Sequence, residues 1–299
     1  MKHDRQIILV SGCPRSGTTT IGDVLNTAPK TAAIYEPMNF HSGDRVINHY
    51  FEAPGTAEFS KQDFDDLTRR IAKLELNLKS GVWPEDKGVR RIAKYLVGGR
   101  SRASLRKAKW MRKVDAVIWK DPIAAFSMRQ FIEQNHGQAV ISYRSPYAVA
   151  ASFKRMKWGF KLNDIFPRLE KAGVKTPDGW RNADISDHVT NAALLWATIY
   201  GDQLSLAQEH PDKVTVIDLD DIIRNPLVTY QNLFKKLSLP WTDRTQKHLR
   251  QIYTDKSVHQ SDVPSGHAHS KKRDVSQANQ YWRKTLTEEE IAVVKQWTT

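Results

Sequence analysis

The stretch Ile7-Ile8-Leu9-Val10-Ser11-Gly12-Cys13-Pro14-Arg15-Ser16-Gly17-Thr18-Thr19-Thr20 decides the fold. A short β-rich apolar run enters a loop with two glycines. The loop leads into Ile21, Val24 and Leu25 at helical spacing. Strand, glycine-bearing loop and helix together form a phosphate-binding arrangement. Glycines let the backbone approach an anion, and the free amides at the helix start point at it. The hydroxyls of Ser16, Thr18 and Thr19 add donors. The spacing from Gly12 to Gly17 is that of a P-loop, but Thr18 stands where a nucleotide triphosphatase carries Lys. The cation sits inside the loop instead, as Arg15. A tyrosine-phosphatase loop is excluded, because it needs an Arg where Thr19 stands.

Outward from this stretch, apolar β-rich runs alternate with helical patterns. Strands are predicted over Gln6–Ser11, Ala32–Tyr35, Ala116–Trp119, Ala139–Tyr143 and Val214–Leu219. A long helix is predicted over Ser186–Glu209, with Val189, Ala193, Trp196 and Tyr200 on one stripe. Asn225-Pro226 reads as an N-cap followed by a proline at the first helical position. Thr287 with Glu290 reads as a capping box ahead of Ile291, Val294 and Trp297. The alternation predicts an α/β fold of the P-loop type, three layers with a central, mainly parallel sheet flanked by helices. The chain reads as a single domain over 1–299, with loop-rich or basic insertions around 41–114 and 157–184. A further irregular stretch is read over 257–280.

The hydrophobic fraction of 40% is ordinary for a globular chain with a sizeable core. No apolar run approaches the about 18 residues that a membrane span needs. The polar start, Met1–Gln6, followed only by Ile7–Val10, does not read as a secretory signal. A single cysteine, Cys13, excludes an intramolecular disulfide and fits a reducing compartment, so a cytoplasmic location is expected. The net charge of +13 is concentrated. Between Lys87 and Lys113 stand eleven Lys or Arg and no Asp or Glu, and the rest of the chain is near neutral. Two readings are open. The segment is either a solvated, partly helical face, or a docking surface for an anionic partner such as an acidic glycan or glycolipid, a nucleic acid or an anionic lipid.

A second anion-binding pattern follows the strand Ala139–Tyr143, which runs into Arg144-Ser145-Pro146. Ser145 is placed to cap a helix and Pro146 to open it. Ser152 lies about two turns further on. A guanidinium gives forked, charge-assisted hydrogen bonds to phosphate, and a hydroxyl adds one more.

With both patterns in this order, the sequence resembles the PAPS-dependent sulfotransferases. Pro14-Arg15-Ser16-Gly17-Thr18-Thr19 looks like their 5′-phosphosulfate loop, with the Arg of the carbohydrate and bacterial branches. The Arg144-x7-Ser152 pair looks like the one that binds the 3′-phosphate. Val117–Pro122, carrying Lys120, looks like the family's strand ending in Lys-x-Pro. Lys271-Lys272-Arg273, followed by Tyr281-Trp282-Arg283, stands where the family places a basic loop over the nucleotide, without its glycine-rich form. The resemblance spans 6–299 and is weakest over 41–114 and 157–184. It implies transfer of a sulfuryl group from 3′-phosphoadenosine 5′-phosphosulfate (PAPS) to an acceptor hydroxyl, of a carbohydrate or glycoconjugate.

Such a transfer needs a held donor, a neutralised leaving oxygen and a deprotonated acceptor. Arg15 and Lys120 are the candidate cations. Glu36, at the end of the second strand, is the candidate base, and Pro37 is expected to keep its backbone extended. Some bacterial relatives use a Glu in such a place. His41 and Asp121 are its rivals. No metal is implied, since His267-x-His269 lacks a third ligand. A P-loop phosphoryl-transfer enzyme such as a kinase is one alternative. The missing Lys at position 18 stands against it, although Val214–Leu219 leading to Asp220 mimics a Walker B segment. A non-catalytic polyanion-binding protein is another, and it leaves the phosphate loop unexplained.

Overall fold

The computed structural model describes residues 5–82, 88, 99–253 and 279–299. Its centre is β1 (Gln6–Ser11), buried on both faces from Ile7 onward. Such a strand reads as a continuous apolar run because helices cover both sides of a parallel sheet. β1 pairs with β3 (Ala116–Lys120) on one side and β4 (Gln138–Tyr143) on the other. β2 (Thr31–Tyr35) and β5 (Val214–Asp218) complete the order β2-β3-β1-β4-β5, with every pairing parallel.

The helices among the described residues are α1 (Thr18–Leu25), α2 (Lys61–Lys73), α3 (Arg100–Trp110), α4 (Met128–Glu133), α5 (Pro146–Met156), α6 (Leu162–Lys171), α7 (His188–Glu209), α8 (Leu219–Arg224), α9 (Pro226–Lys236), α10 (Asp243–Tyr253) and α11 (Glu288–Thr298). The period-two alternation of β1 divides the core between two layers. Ile7 and Leu9 pack with Trp119, Ile141 and the inner face of α7. Ile8 and Val10 pack with Ile21, Val24 and Leu25 of α1, and with Tyr230, Leu233 and Phe234 of α9.

The expected strands are all present, and three of them gain a residue, at Thr31, Lys120 and Gln138. The fifth stops earlier than expected. The Asp218 side chain accepts from the Asp220 amide, so Leu219 begins α8 instead of ending a strand. Ser145 and Asn225 occupy N-cap positions, yet neither side chain makes a capping bond, and Pro146 and Pro226 open these helices by their fixed φ. The Thr287–Glu290 capping box forms as expected. The long helix starts at His188, capped by Asp187.

The stretch 157–184 is less irregular than expected. It contains α6, with Leu162, Ile165, Phe166 and Leu169 buried at helical spacing. Pro167 lies inside this helix. The helix runs through it because the flanking apolar positions are held in the core, which outweighs one missing N–H. α2 opens the basic insertion with a reciprocal cap between Ser60 and Asp63 and buries Phe64, Leu67 and Ile71. Among the described residues, no helix is long and apolar enough to cross a membrane.

Candidate active site

β1 connects towards β2, whereas its neighbour β4 connects towards β5, in the opposite direction. Their C-terminal ends therefore flank the topological switch point, where α/β sheets leave room for a ligand. Both anion-binding stretches arrive there. Gly12 has φ 143°, and a Cβ on it would lie 2.4 Å from the Ser142 carbonyl, so only glycine allows this approach of the loop to β4. The Ser142 hydroxyl donates to the Ser16 carbonyl at 2.6 Å. Helix α7 fastens both loops from behind. Its Tyr200 hydroxyl donates to the Ser142 carbonyl at 2.6 Å and accepts from the Cys13 amide at 3.3 Å. Burial pushes the Tyr200 phenol well up, which keeps it neutral and able to donate. One turn earlier, the Trp196 indole donates to the Arg144 carbonyl at 2.8 Å. The stripe that carries Trp196 and Tyr200 thus also positions the site.

Within the loop, Arg15 at φ 75° and Gly17 at φ 96° are both left-handed. Gly17 caps α1 without a side chain, so no side-chain bond covers the first-turn amides. Arg15 Nε donates to Ser152 Oγ at 3.1 Å. Arg144 Nη1 donates to the Arg15 carbonyl at 2.7 Å, and its Nε donates to Asn279 Oδ1 at 2.9 Å. Asn279 Nδ2 in turn donates to Asp220 Oδ1 at 2.5 Å. The structure therefore joins Arg15, Arg144 and Ser152 in one cluster, where the sequence suggested two separate contacts. A non-glycine residue at positive φ is uncommon, and these bonds hold Arg15 in that conformation. Two guanidinium groups, a buried serine hydroxyl and an uncapped helix start form a donor set suited to phosphate and sulfate oxygens.

Asn279 and Asp220 were not foreseen in this role. Asn279 is buried and lies far along the chain from Arg144, in a stretch read as irregular, and nothing local marks it. Asp220, which mimics a Walker B carboxylate in sequence, serves as the anchor behind it.

The neighbouring strand ends carry the second half of the site. Lys120 closes β3 and is only 2% exposed. Its stem lies against Gly22 of α1, where a Cβ would stand 3.0 Å from Lys120 Cγ. Its Nζ lies 2.6 Å from Glu36 Oε1, and Asn39 Nδ2 donates to Glu36 Oε2 at 3.1 Å. The Glu36 side chain is 31% exposed. Its backbone is not extended, as expected ahead of Pro37, but left-handed at φ 50°. The cause is a tight turn. The Glu36 amide donates to the Lys120 carbonyl, prolonging the β2–β3 ladder, and the chain then doubles back so that the Asn39 amide reaches the Glu36 carbonyl.

Asp121 holds that turn. It is fully buried, accepting from the Met38 amide at 2.7 Å, the Trp119 indole at 3.4 Å and the Ile123 amide at 3.0 Å. Burial first, and then the charge of Glu36, push its carboxyl up to about 7. The His41 ring packs edge-on against Phe40 at 4.8 Å. Of the basic segment, Arg100 stacks 3.9 Å over the Tyr35 ring and pairs with Asp23 at 3.4 Å, while Arg102 donates to the Leu78 carbonyl at 2.9 Å. Lys271, Lys272, Arg273, His267 and His269 lie outside the described residues. Among the described residues, no group of three or more His, Cys, Asp or Glu is placed to hold a metal ion.

A family model described as the sulfotransferase domain matches residues 4–299. The chain belongs to the sulfotransferase family. This sulfotransferase uses PAPS as donor, and its parallel sheet and phosphate loop are the family's P-loop-type α/β fold. Several solved structures are similar to it. The sulfotransferase domain of the Synechococcus PCC 7002 olefin synthase has 16% identity and a TM-score of 0.45, with coverage of 100% of this chain and 97% of that one. The sulfotransferase domain from the curacin biosynthetic pathway has 13% identity and a TM-score of 0.47, covering 98% and 97%. Mouse sulfotransferase SULT7A1 complexed with PAP has 11% identity and a TM-score of 0.40, covering 99% and 83%. None of the curated proteins matches the chain.

Proposed function

We propose that this sulfotransferase acts on a hydroxyl of a carbohydrate or glycoconjugate and that Glu36 takes the hydroxyl proton. The observation that carries this reading is the setting of Glu36. It is a partly exposed carboxylate at the same edge of the sheet as the phosphate loop, oriented by Lys120 at 2.6 Å and Asn39 at 3.1 Å. Its rival Asp121 has its oxygens committed to N–H donors inside the turn.

When bound, PAPS supplies the sulfuryl group and leaves as 3′,5′-bisphosphoadenosine. The residues of this chain divide the remaining work. Pro14, Arg15, Ser16, Gly17, Thr18 and Thr19 form the cradle for the 5′-phosphosulfate, with Arg15 and the α1 amides offsetting its charge. Arg144 and Ser152 hold the 3′-phosphate. Glu36 accepts the acceptor proton, and Lys120 keeps that carboxylate aimed. As Glu36 becomes neutral, the charge of Lys120 is no longer compensated and favours the anionic side of the reaction.

The acceptor class is supported by what surrounds Glu36 and Arg15. Phe40 and Trp158 are large, partly exposed rings, and the Arg15 guanidinium lies 5.8 Å from the Trp158 centroid. Planar apolar faces beside the Glu36 carboxylate suit the C–H faces and hydroxyls of a sugar. The test is transfer of labelled sulfate from PAPS to a panel of sugars, oligosaccharides, phenols and lipids, with labelled ATP run in parallel. Label on sugar hydroxyls is expected. Label confined to phenols or sugar-free lipids overturns the acceptor class, and phosphate transfer from ATP overturns the donor assignment.

A further inference from the structure

The basic segment splits on folding. Helix α3 has eleven residues and is therefore about 16 Å long. Its first residue, Arg100, stands beside Tyr35 at the catalytic edge of the sheet. Its last, Trp110, lies at the opposite edge, where the chain turns back into the start of β3. Most of the described cations of the segment gather at this far end. They are remote from the site and take no part in the chemistry above.

The far end has two features that belong together. Trp110 is 86% exposed, far more than any other large apolar side chain among the described residues, while its neighbour Met111 packs against the core. Around it, Lys107, Lys109, Arg112 and Lys113 are exposed. Lys109, Arg112 and Lys113 share a cavity of about 360 Å³ with Arg5 and Lys73, which come from the start of β1 and the end of α2. Arg5 is held there by the carbonyls of Val114 and Ala72, at 3.2 and 2.7 Å. One carboxylate, Glu75, lines the cavity, and Asp115 pairs with Lys113 at 3.4 Å. Lys73, Lys107, Lys109 and Arg112 make no ion pair among the described residues.

We propose that this edge is a peripheral docking surface for an anionic lipid bilayer, with Trp110 seated at the headgroup level. Clustered Lys and Arg beside a membrane are drawn to anionic headgroups over about a Debye length. An indole with an apolar body and one N–H donor partitions to the same depth. A bilayer satisfies both features, whereas a soluble polyanion meets the cations and offers the indole no apolar phase. Docking here holds the enzyme at a surface and leaves the catalytic edge on the other side of the sheet open. The inference stands apart from the acceptor reading, because none of these residues borders the site.

The experiment is co-sedimentation of the full chain with vesicles of phosphatidylcholine alone, or with about one third phosphatidylglycerol. The expected result is at least tenfold stronger binding to the anionic vesicles, lost in high salt. Lys109→Glu with Arg112→Glu should abolish that preference, and Trp110→Ser should weaken vesicle binding severalfold. Both variants should keep the melting temperature and the stabilisation by 3′,5′-bisphosphoadenosine, which shows that they fold. The proposal is overturned by equal binding to both vesicle types, by Trp110→Ser binding as the wild type does, or by salt-resistant binding to heparin with none to vesicles. The last outcome assigns the surface to a soluble polyanion.

Discussion

Replacing Glu36 with Gln separates a catalytic carboxylate from a structural one, and the geometry sets both magnitudes. Glu36 accepts from Lys120 at 2.6 Å and from Asn39 at 3.1 Å. Gln keeps an oxygen for the ammonium but removes the charge opposite a lysine that is 2% exposed. Stripping one partner from a fully buried pair costs about 3–5 kcal/mol. Here Glu36 is about a third open to solvent and a charged hydrogen bond survives, so a loss of about 1–2 kcal/mol is expected. For a chain of this size that lowers the melting temperature by about 2–3 °C. The chemical step loses far more, since a positioned base contributes about 10²–10⁴-fold. The assay is labelled-sulfate transfer under saturating donor and acceptor, with thermal melting and calorimetric titration of 3′,5′-bisphosphoadenosine on the same preparations. The expected outcome is kcat down by about 10² or more, nucleotide affinity nearly intact and a modest drop in melting temperature. If kcat stays within a few-fold of wild type, Glu36 is only the counter-ion of Lys120. His41→Asn is then the next variant to measure.

Two further predictions follow from the cluster and the turn. Arg144→Ala should weaken binding of 3′,5′-bisphosphoadenosine by about 1.5–3 kcal/mol, and Asn279→Ala, which removes only its orienting partner, by a smaller part of that. Binding of adenosine 5′-phosphosulfate should fall less, because there Arg144→Ala removes only the support of the Arg15 carbonyl, so calorimetry showing equal losses for both ligands contradicts the 3′-phosphate role. For Asp121, burial raises the folded carboxyl to about 7 from its ordinary 3.8. The stability it contributes is fully present below about pH 4 and is lost as pH rises through about 7. Melting curves should therefore show the wild type losing ground to Asp121→Asn between those values and running parallel above them. A wild type that gains instead shows that its three N–H bonds outweigh burial.

The parts legible in sequence are those whose signal is local. The phosphate loop is contiguous, and its glycines, its hydroxyls and Arg15 sit between a strand and a helix that both declare themselves. Arg144 and Lys120 were readable as strand-end cations for the same reason. What was not legible depends on which strands become neighbours. Arg15 meets Ser152 only because β1 lies beside β4, and Lys120 meets Glu36 only because β2 and β3 pair with Tyr35 opposite Lys120. The left-handed turn at Glu36 is imposed by the carboxylate of Asp121, on another strand's end, against the local preference before a proline. Helix α6 stands in a stretch read as irregular, and it runs through Pro167 because packing from elsewhere in the chain holds its apolar face. The split of the basic segment between two edges of the sheet follows from the direction of α3, which charge counting does not carry.

The central claim is that Arg15, Arg144, Ser152 and the start of α1 form one site for a nucleotide carrying both a 5′ and a 3′ anion. Calorimetric titration of the wild-type chain with 3′,5′-bisphosphoadenosine, with divalent cations chelated, tests it most directly. Saturable binding is predicted, at least tenfold tighter than that of adenosine 5′-monophosphate and tighter than that of ATP with magnesium. Equal affinity for the bisphosphate and the 5′-monophosphate, or a preference for magnesium ATP, would contradict it.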